Sequence, residues 1–165
     1  KGSKFTFVLP FEIYIPKINN TNSSENEVDN TNFEMPLKNL LVDDNTFNQL
    51  VATDIIQTKF INTEVTIAEN GLVCLEILKT QVFDLILMDI SMPELDGISA
   101  SKEIRSQNND FAKTVPIIAM TSFVNEAEIE KFKLAGIHDY IRKPFDAENL
   151  INLILKYATP QPNNK

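Results

Sequence analysis

Between residues 37 and 157 the chain alternates short apolar runs with longer stretches whose apolar residues recur at helical spacing. Short runs suit strands, and the longer periodicity suits helices with one apolar face. The most apolar run, Leu85-Ile86-Leu87-Met88, is uninterrupted and stops at Asp89. Such a run fits a strand buried on both faces of a parallel sheet. Ile90-Ser91-Met92-Pro93 and Glu94-Leu95-Asp96-Gly97 follow. Pro93 cannot continue a ladder and Asp96-Gly97 supplies turn chemistry, so Asp89 is expected where the strand opens to solvent.

The other elements follow from the same reasoning. Residues 37–42 are a second apolar run ending in Asp43-Asp44-Asn45, which also make good helix caps. Val51 and Ile55, then Ala52, Ile56 and Phe60, recur at i+4 and predict a helix over about 46–60. Residues 64–68 have the β-branched character of a strand, and Asn70-Gly71 turns into a helix carrying Leu72, Leu75 and Leu78. After the Asp89 strand, a helix is expected over about 98–105 and a loop at Asn108-Asn109-Asp110. A fourth strand over 115–120 is closed by Thr121-Ser122. A helix over 127–134 ends at Ala135-Gly136, and Tyr140-Ile141 form the apolar part of a fifth strand that Lys143-Pro144 ends. Asp146 caps a last helix whose stripe is Leu150, Ile151, Ile154 and Leu155. Strands alternating with helices in this way predict an α/β fold, a doubly wound parallel sheet with helices on both faces.

The first part of the chain has a different pattern. Residues 4–9 alternate around Phe5, Phe7 and Leu9, like a strand with one apolar face and no obvious partner. Asn, Thr, Ser and Glu then dominate over 17–32, the composition of a solvated linker. The expected organisation is a terminal strand segment over 1–16, an Asn-rich linker over 17–36, a globular domain over 37–158 and a tail over 159–165. The chain begins at Lys1 rather than methionine, which suggests a piece of a longer protein.

Composition narrows the function. A net charge of −8 disfavours contact with nucleic-acid backbones or anionic membranes and tolerates bound cations. Cys74 is the only cysteine and His138 the only histidine, so one chain builds neither a disulfide nor a Cys/His metal cluster. A reducing, cytoplasmic setting fits. No run approaches the ~20 apolar residues of a membrane span, so no direct membrane contact is expected from this chain. Cys74 reads as a small buried hydrophobe, and His138 as a loop histidine.

In a sheet of this kind the strand C-termini share one edge, the edge where open α/β sheets bind ligands. Asp43, Asp44, Asp89, Thr121 and Lys143 should gather there. If the first and third strands are neighbours, about 4.8 Å apart, three carboxylates crowd one crevice. Each residue taken alone reads as a cap or a solvated charge. Together they describe a place where a hard cation such as Mg²⁺, an ammonium and a hydroxyl could hold a phosphoryl group. No phosphate-binding glycine loop is present, which argues against a P-loop nucleotide enzyme. An aspartate-nucleophile phosphatase would need a second acid two residues after Asp89, where Ser91 stands.

Four motifs resemble one family, the receiver domain of two-component response regulators: Leu41-Val42-Asp43-Asp44-Asn45, Met88-Asp89 with Met92-Pro93-Glu94-Leu95-Asp96-Gly97, Thr121-Ser122, and Tyr140 with Lys143-Pro144-Phe145. The resemblance implies a flavodoxin-like (βα)5 fold with strand order 2-1-3-4-5. It implies Asp89 as the phosphoacceptor, with Mg²⁺ held by Asp44, Asp89 and the Ser91 backbone carbonyl and Asp43 acting mainly through water. Lys143 and Thr121 would contact the phosphoryl oxygens, and Thr121 and Tyr140 would form the switch. The expected donor is an upstream kinase phosphohistidine, and the expected recipient a histidine phosphotransfer protein. Phe47 and Phe145, flanking the crevice, are the candidate apolar contact. The alternative is an in-cis regulatory module or phosphate sink of the parent kinase.

The segment from Gly2-Ser3-Lys4-Phe5 through Thr6-Phe7-Val8-Leu9-Pro10 is similar to the closing strand of a histidine-kinase ATP-binding domain. That resemblance implies the C-terminal part of a hybrid sensor histidine kinase. The ATP-binding and phosphohistidine parts would lie upstream, so this chain supports only phosphoryl transfer onto its own Asp89.

Overall fold

The structure, a computed structural model, describes residues 33–34 and 36–158. The strand expected over 4–9, the whole 1–16 segment, most of the linker and the 159–165 tail lie outside the described residues.

The described chain runs β1 (Phe33–Glu34), β2 (Lys38–Val42), α1 (Thr46–Lys59), β3 (Phe60–Ile61), β4 (Glu64–Ala68), α2 (Gly71–Leu78), β5 (Leu85–Asp89), α3 (Gly97–Ser106), α4 (Asp110–Thr114), β6 (Ile117–Thr121), α5 (Glu126–Leu134), β7 (Asp139–Arg142) and α6 (Ala147–Ala158). Five strands form one parallel sheet in the order β4-β2-β5-β6-β7. Numbered among themselves, these are strands 2-1-3-4-5. The fold is the flavodoxin-like one, with its switch point between β2 and β5.

β5 is central, and all five of its residues are buried. Its side chains alternate between two cores. Ile86 and Met88 join Leu40, Val42, Ile117 and Ala119 on one face, against Cys74 and Leu78 of α2, Ala100 and Ile104 of α3 and Phe132 of α5. Leu85 and Leu87 join Leu41, Ile118, Met120 and Ile141 on the other, against Ala52 and Ile56 of α1 and Leu150, Ile151 and Ile154 of α6. Burying each such side chain contributes about 2 kcal/mol, which explains why this strand carries no polar residue before Asp89.

The caps are set locally. Asn45 accepts from the amides of Phe47 and Asn48, Asn70 from Val73, Asp96 from Ser99 and Asp146 from Asn149. Gly97 starts α3 directly against the backbone of Asp89. A Cβ there would sit 2.1 Å from the Asp89 carbonyl oxygen, so only glycine admits this approach.

Three local expectations are corrected. The segment beginning at Asn108-Asn109-Asp110 is not all loop: Asn109 accepts from the Ala112 amide and caps the short helix α4. The helix predicted over 46–60 ends at Lys59, because Phe60 leaves it to pair with Phe33 in a two-residue parallel ladder. That pairing also removes Phe33 and Glu34 from the linker, and stacking of the Phe33 and Phe60 rings, 5.6 Å apart, accompanies it.

Candidate functional site

β2 and β5 are paired in register up to Val42 and Met88, so the next residues, Asp43 and Asp89, lie side by side at the C-terminal edge of the sheet. β6 ends at Thr121 beside Arg142, and the amide of Lys143 donates to the Thr121 carbonyl at 2.7 Å. The parallel register therefore delivers Asp43, Asp44, Asp89, Thr121 and Lys143 to one edge. Among the described residues, Asp43, Asp44 and Asp89 can present carboxylate oxygens within 4.8 Å of one another.

The ammonium of Lys143 lies 2.6 Å from Asp43 Oδ2 and 3.0 Å from Asp89 Oδ2. Asp43 is wholly buried and heavily engaged. Its Oδ1 accepts from the Asn45 amide at 2.9 Å and from Asn48 Nδ2 at 3.2 Å, while its own carbonyl accepts from Gln49 Nε2 at 2.7 Å. Asp89 is also buried but has fewer donors: Lys143, and the Ser91 amide to Oδ1 at 3.3 Å. Burial pushes the Asp89 carboxyl above its ordinary value. The charge and hydrogen bond of Lys143 pull it back down, and the neighbouring charge of Asp43 adds to the rise. Asp44 is exposed at the mouth.

Three carboxylates with one ammonium leave the crevice acidic, and its donors are all hard oxygens. That donor set fits Mg²⁺, which takes oxygen ligands and needs only one or two carboxylates. Asp43, with its oxygens already occupied by protein donors, is the least free to bind a cation directly. Asp44 and Asp89 are the better candidates.

Thr121 stands at the same edge, but its hydroxyl donates to the Phe123 carbonyl at 2.9 Å. Tyr140 lies on β7 with its ring half-exposed and 6.2 Å from the Phe132 ring. Phe47 is 72% exposed on α1, and Leu50, one turn further along, is 66% exposed. Phe145 instead packs against the α1/α6 core.

The sequence profile of the response regulator receiver domain matches residues 40–155. The chain belongs to this family. It is 32% identical over 123 residues to the polar-differentiation response regulator DivK of Brucella anthropi, covering 74% of this chain and 97% of DivK. It is 36% identical over 118 residues to the signal transduction histidine-protein kinase BarA of Escherichia coli K12, covering 72% of this chain. It spans only 12% of BarA and 16% of the probable histidine kinase 1 of Oryza sativa subsp. indica, to which it is 33% identical over 153 residues, covering 75% of this chain. Among solved structures, the receiver domain of a sensor histidine kinase from Pseudomonas aeruginosa PAO1, which has a magnesium ion coordinated in its active site cleft, is 34% identical with a TM-score of 0.66. That comparison covers 74% of this chain and 97% of the other. A chemotaxis protein CheY4 of Vibrio cholerae is 26% identical with a TM-score of 0.68, covering 73% and 98%. No described helix of this receiver domain is long and apolar enough to cross a membrane.

Other residues of the receiver site were not apparent from sequence. Asn48 and Gln49 look like ordinary polar positions of α1, yet both bind Asp43. Their signal is polarity on the helix face that follows the acidic cap. His138 is structural: its Nδ1 accepts from the Ile117 amide at 3.2 Å and lies 3.3 Å from Arg105 Nη2.

Proposed function

We propose that Asp89 accepts a phosphoryl group from the phosphohistidine of an upstream kinase and passes it to a histidine phosphotransfer protein. One observation carries this reading: Asp89 sits in an acidic crevice, bonded to Lys143, with Asp43 and Asp44 beside it. An Asp89 oxygen attacks phosphorus in line. The new O–P bond forms as the P–N bond breaks, and the electron pair leaves with an imidazole protonated on its other nitrogen, so that neutral histidine departs. Mg²⁺ held by Asp44, Asp89 and the Ser91 carbonyl, with Asp43 acting through water, would supply the Lewis acid that offsets repulsion between phosphate and carboxylates. Lys143 moves its ammonium from the carboxylates toward the phosphoryl oxygens.

The same residues support a switch. Thr121 would exchange its bond to Phe123 for one to the phosphoryl group, and Tyr140 would turn inward from its half-exposed position. Phe47 with Leu50 forms an exposed apolar pair on the helix that follows the acidic cap, which supports docking of a helical partner there. Phe145, partly buried against the α1/α6 core, is less suited to that role.

Incubating the chain with Mg²⁺ and a small acyl phosphodonor should add one phosphoryl group by mass, and Asp89→Ala should abolish the gain. An Asp89→Ala chain that still gains the group would remove the assignment. Transfer onward to a purified histidine phosphotransfer domain tests the relay; retention of the label would favour the in-cis module or phosphate sink.

A further inference from the structure

The loop from β5 to α3 contains a turn that its own sequence does not favour. Glu94 has φ 65°, in the left-handed region that costs a residue with a Cβ about 1 kcal/mol. The Leu95 amide donates to the Pro93 carbonyl at 2.8 Å, closing a three-residue turn around Glu94. With positive φ at its centre this is the rarer and strained form of such a turn. Strain of this kind persists only where the surroundings hold it in place.

Much of that support comes from the loop between β4 and α2. Asn70, only 9% exposed, uses both ends of its amide. Its Oδ1 accepts from the Val73 amide at 2.9 Å and caps α2, while its Nδ2 donates to Glu94 Oε2 at 3.0 Å. The next residue adds a main-chain tie, from the Gly71 amide to the Leu95 carbonyl at 3.3 Å. A Cβ at Gly71 would sit 2.6 Å from that carbonyl, so the two loops are as close as glycine allows. At the far end the Gly97 amide donates to the Ile90 carbonyl at 3.1 Å. The loop carrying Ser91 is thus fastened at Glu94 and Leu95 from one side and at Ile90 from the other.

Capping alone does not require asparagine. Aspartate or serine would accept from Val73 equally well. Aspartate has nothing to donate, and serine has a single hydroxyl oxygen for both tasks; asparagine presents an acceptor and a separate donor, and the group its donor meets is a carboxylate. The choice at position 70 is therefore made by Glu94, across the loop, rather than by its own helix.

We propose that Asn70 is a positioning residue for the cation: by holding Glu94 it fixes the turn that carries the Ser91 carbonyl. This rests on the reading of Asp43, Asp44, Asp89 and Ser91 as the Mg²⁺ site. Calorimetric Mg²⁺ titration of the unphosphorylated chain tests it without any phosphoryl transfer. Asn70→Asp keeps the cap but sets a second carboxylate against Glu94. It should weaken Mg²⁺ binding by about tenfold, the lower end of what partners behind the ligands contribute. The added negative charge would by itself strengthen binding, so the expected change runs against simple electrostatics. Combining Asn70→Asp with Glu94→Gln reverses donor and acceptor and should restore the affinity to within about twofold of the original chain.

Wild-type affinity in Asn70→Asp, or a double variant that does not recover, overturns the proposal. A wild-type chain that binds no Mg²⁺ overturns the reading of the site along with it. If Asn70→Asp does not fold, Glu94→Ala compared with Glu94→Gln gives the same answer: both lose the charge, but only the first loses the acceptor. Equal Mg²⁺ affinity in those two would also overturn the proposal.

Discussion

Lys143, 100 residues along the chain from Asp43, holds that carboxylate at 2.6 Å and Asp89 at 3.0 Å with a single ammonium. One cation therefore offsets two buried anions from two different strands. The site is stable only as a group, and removing different members should have opposite effects.

Lys143→Met strips the shared counter-charge and leaves Asp43 and Asp89 facing one another with little solvent. Breaking a buried pair by removing one partner costs roughly 3 kcal/mol. Urea unfolding without divalent cation should show a loss of about that size, and added Mg²⁺ should return part of it by binding the folded state. An unchanged midpoint would mean that the two carboxylates are solvated after all.

Asp89→Asn should act in the other direction. Burial and Asp43 both oppose a charge at this position. Neutralising it should raise the thermal midpoint by a few degrees without Mg²⁺, the shift expected for about 1 kcal/mol in a domain of this size. The variant should also lose most of the stabilisation that Mg²⁺ gives the original chain. A lower midpoint than the original chain would contradict this account.

A pH effect is expected from the opposite end of the sheet. His138 is held below its ordinary value by burial and by the Arg105 guanidinium. Nearby charges are Arg105 from α3 and the Asp139 carboxylate with its Lys156 partner from α6; Tyr157 lies edge-on to the imidazole. The unfolded chain takes up a proton near pH 6.5 while the folded chain does not. Stability is therefore full above that pH and falls as pH drops through it toward the lower folded value. Denaturation midpoints between about pH 7 and 5.5 should decline, and His138→Gln, which keeps an acceptor for Ile117, should flatten that part of the decline.

Cys74 should be chemically silent. It is fully buried on α2, and burial pushes its thiol up to about 12. A chromogenic thiol reagent should not react with the native chain and should titrate one thiol after unfolding. Rapid labelling of the folded chain would show that α2 opens.

The elements were legible because their causes are local. The run from Leu85 to Met88 is a strand by composition alone, and Asn45, Asn70, Asp96 and Asp146 cap helices by short-range hydrogen bonds within a few residues. The helix end that the spacing misplaced has a distant cause. Phe60 has helical spacing but leaves α1 for Phe33, 27 positions earlier in the chain numbering.

Arg105 illustrates the same limit. On α3 it looks like a solvated helix-ending cation, which is good local chemistry. In the fold its guanidinium donates to the carbonyls of Gly136, Ala112 and Val115 at 3.0, 2.6 and 2.7 Å, tying three segments together. Nothing in the spacing around Arg105 indicates those acceptors.

Sequence by itself determined the alternation of strands and helices, the acidic strand ends and, through its motifs, the family, since these depend on periodicity, capping and residue identity along short stretches. Tertiary structure alone decided that Lys143 reaches both Asp43 and Asp89 and that Asn70 reaches Glu94. Such pairings depend on register between strands and on which loops the packed helices bring together, and a hydrogen bond across a crevice leaves no periodic trace in the chain.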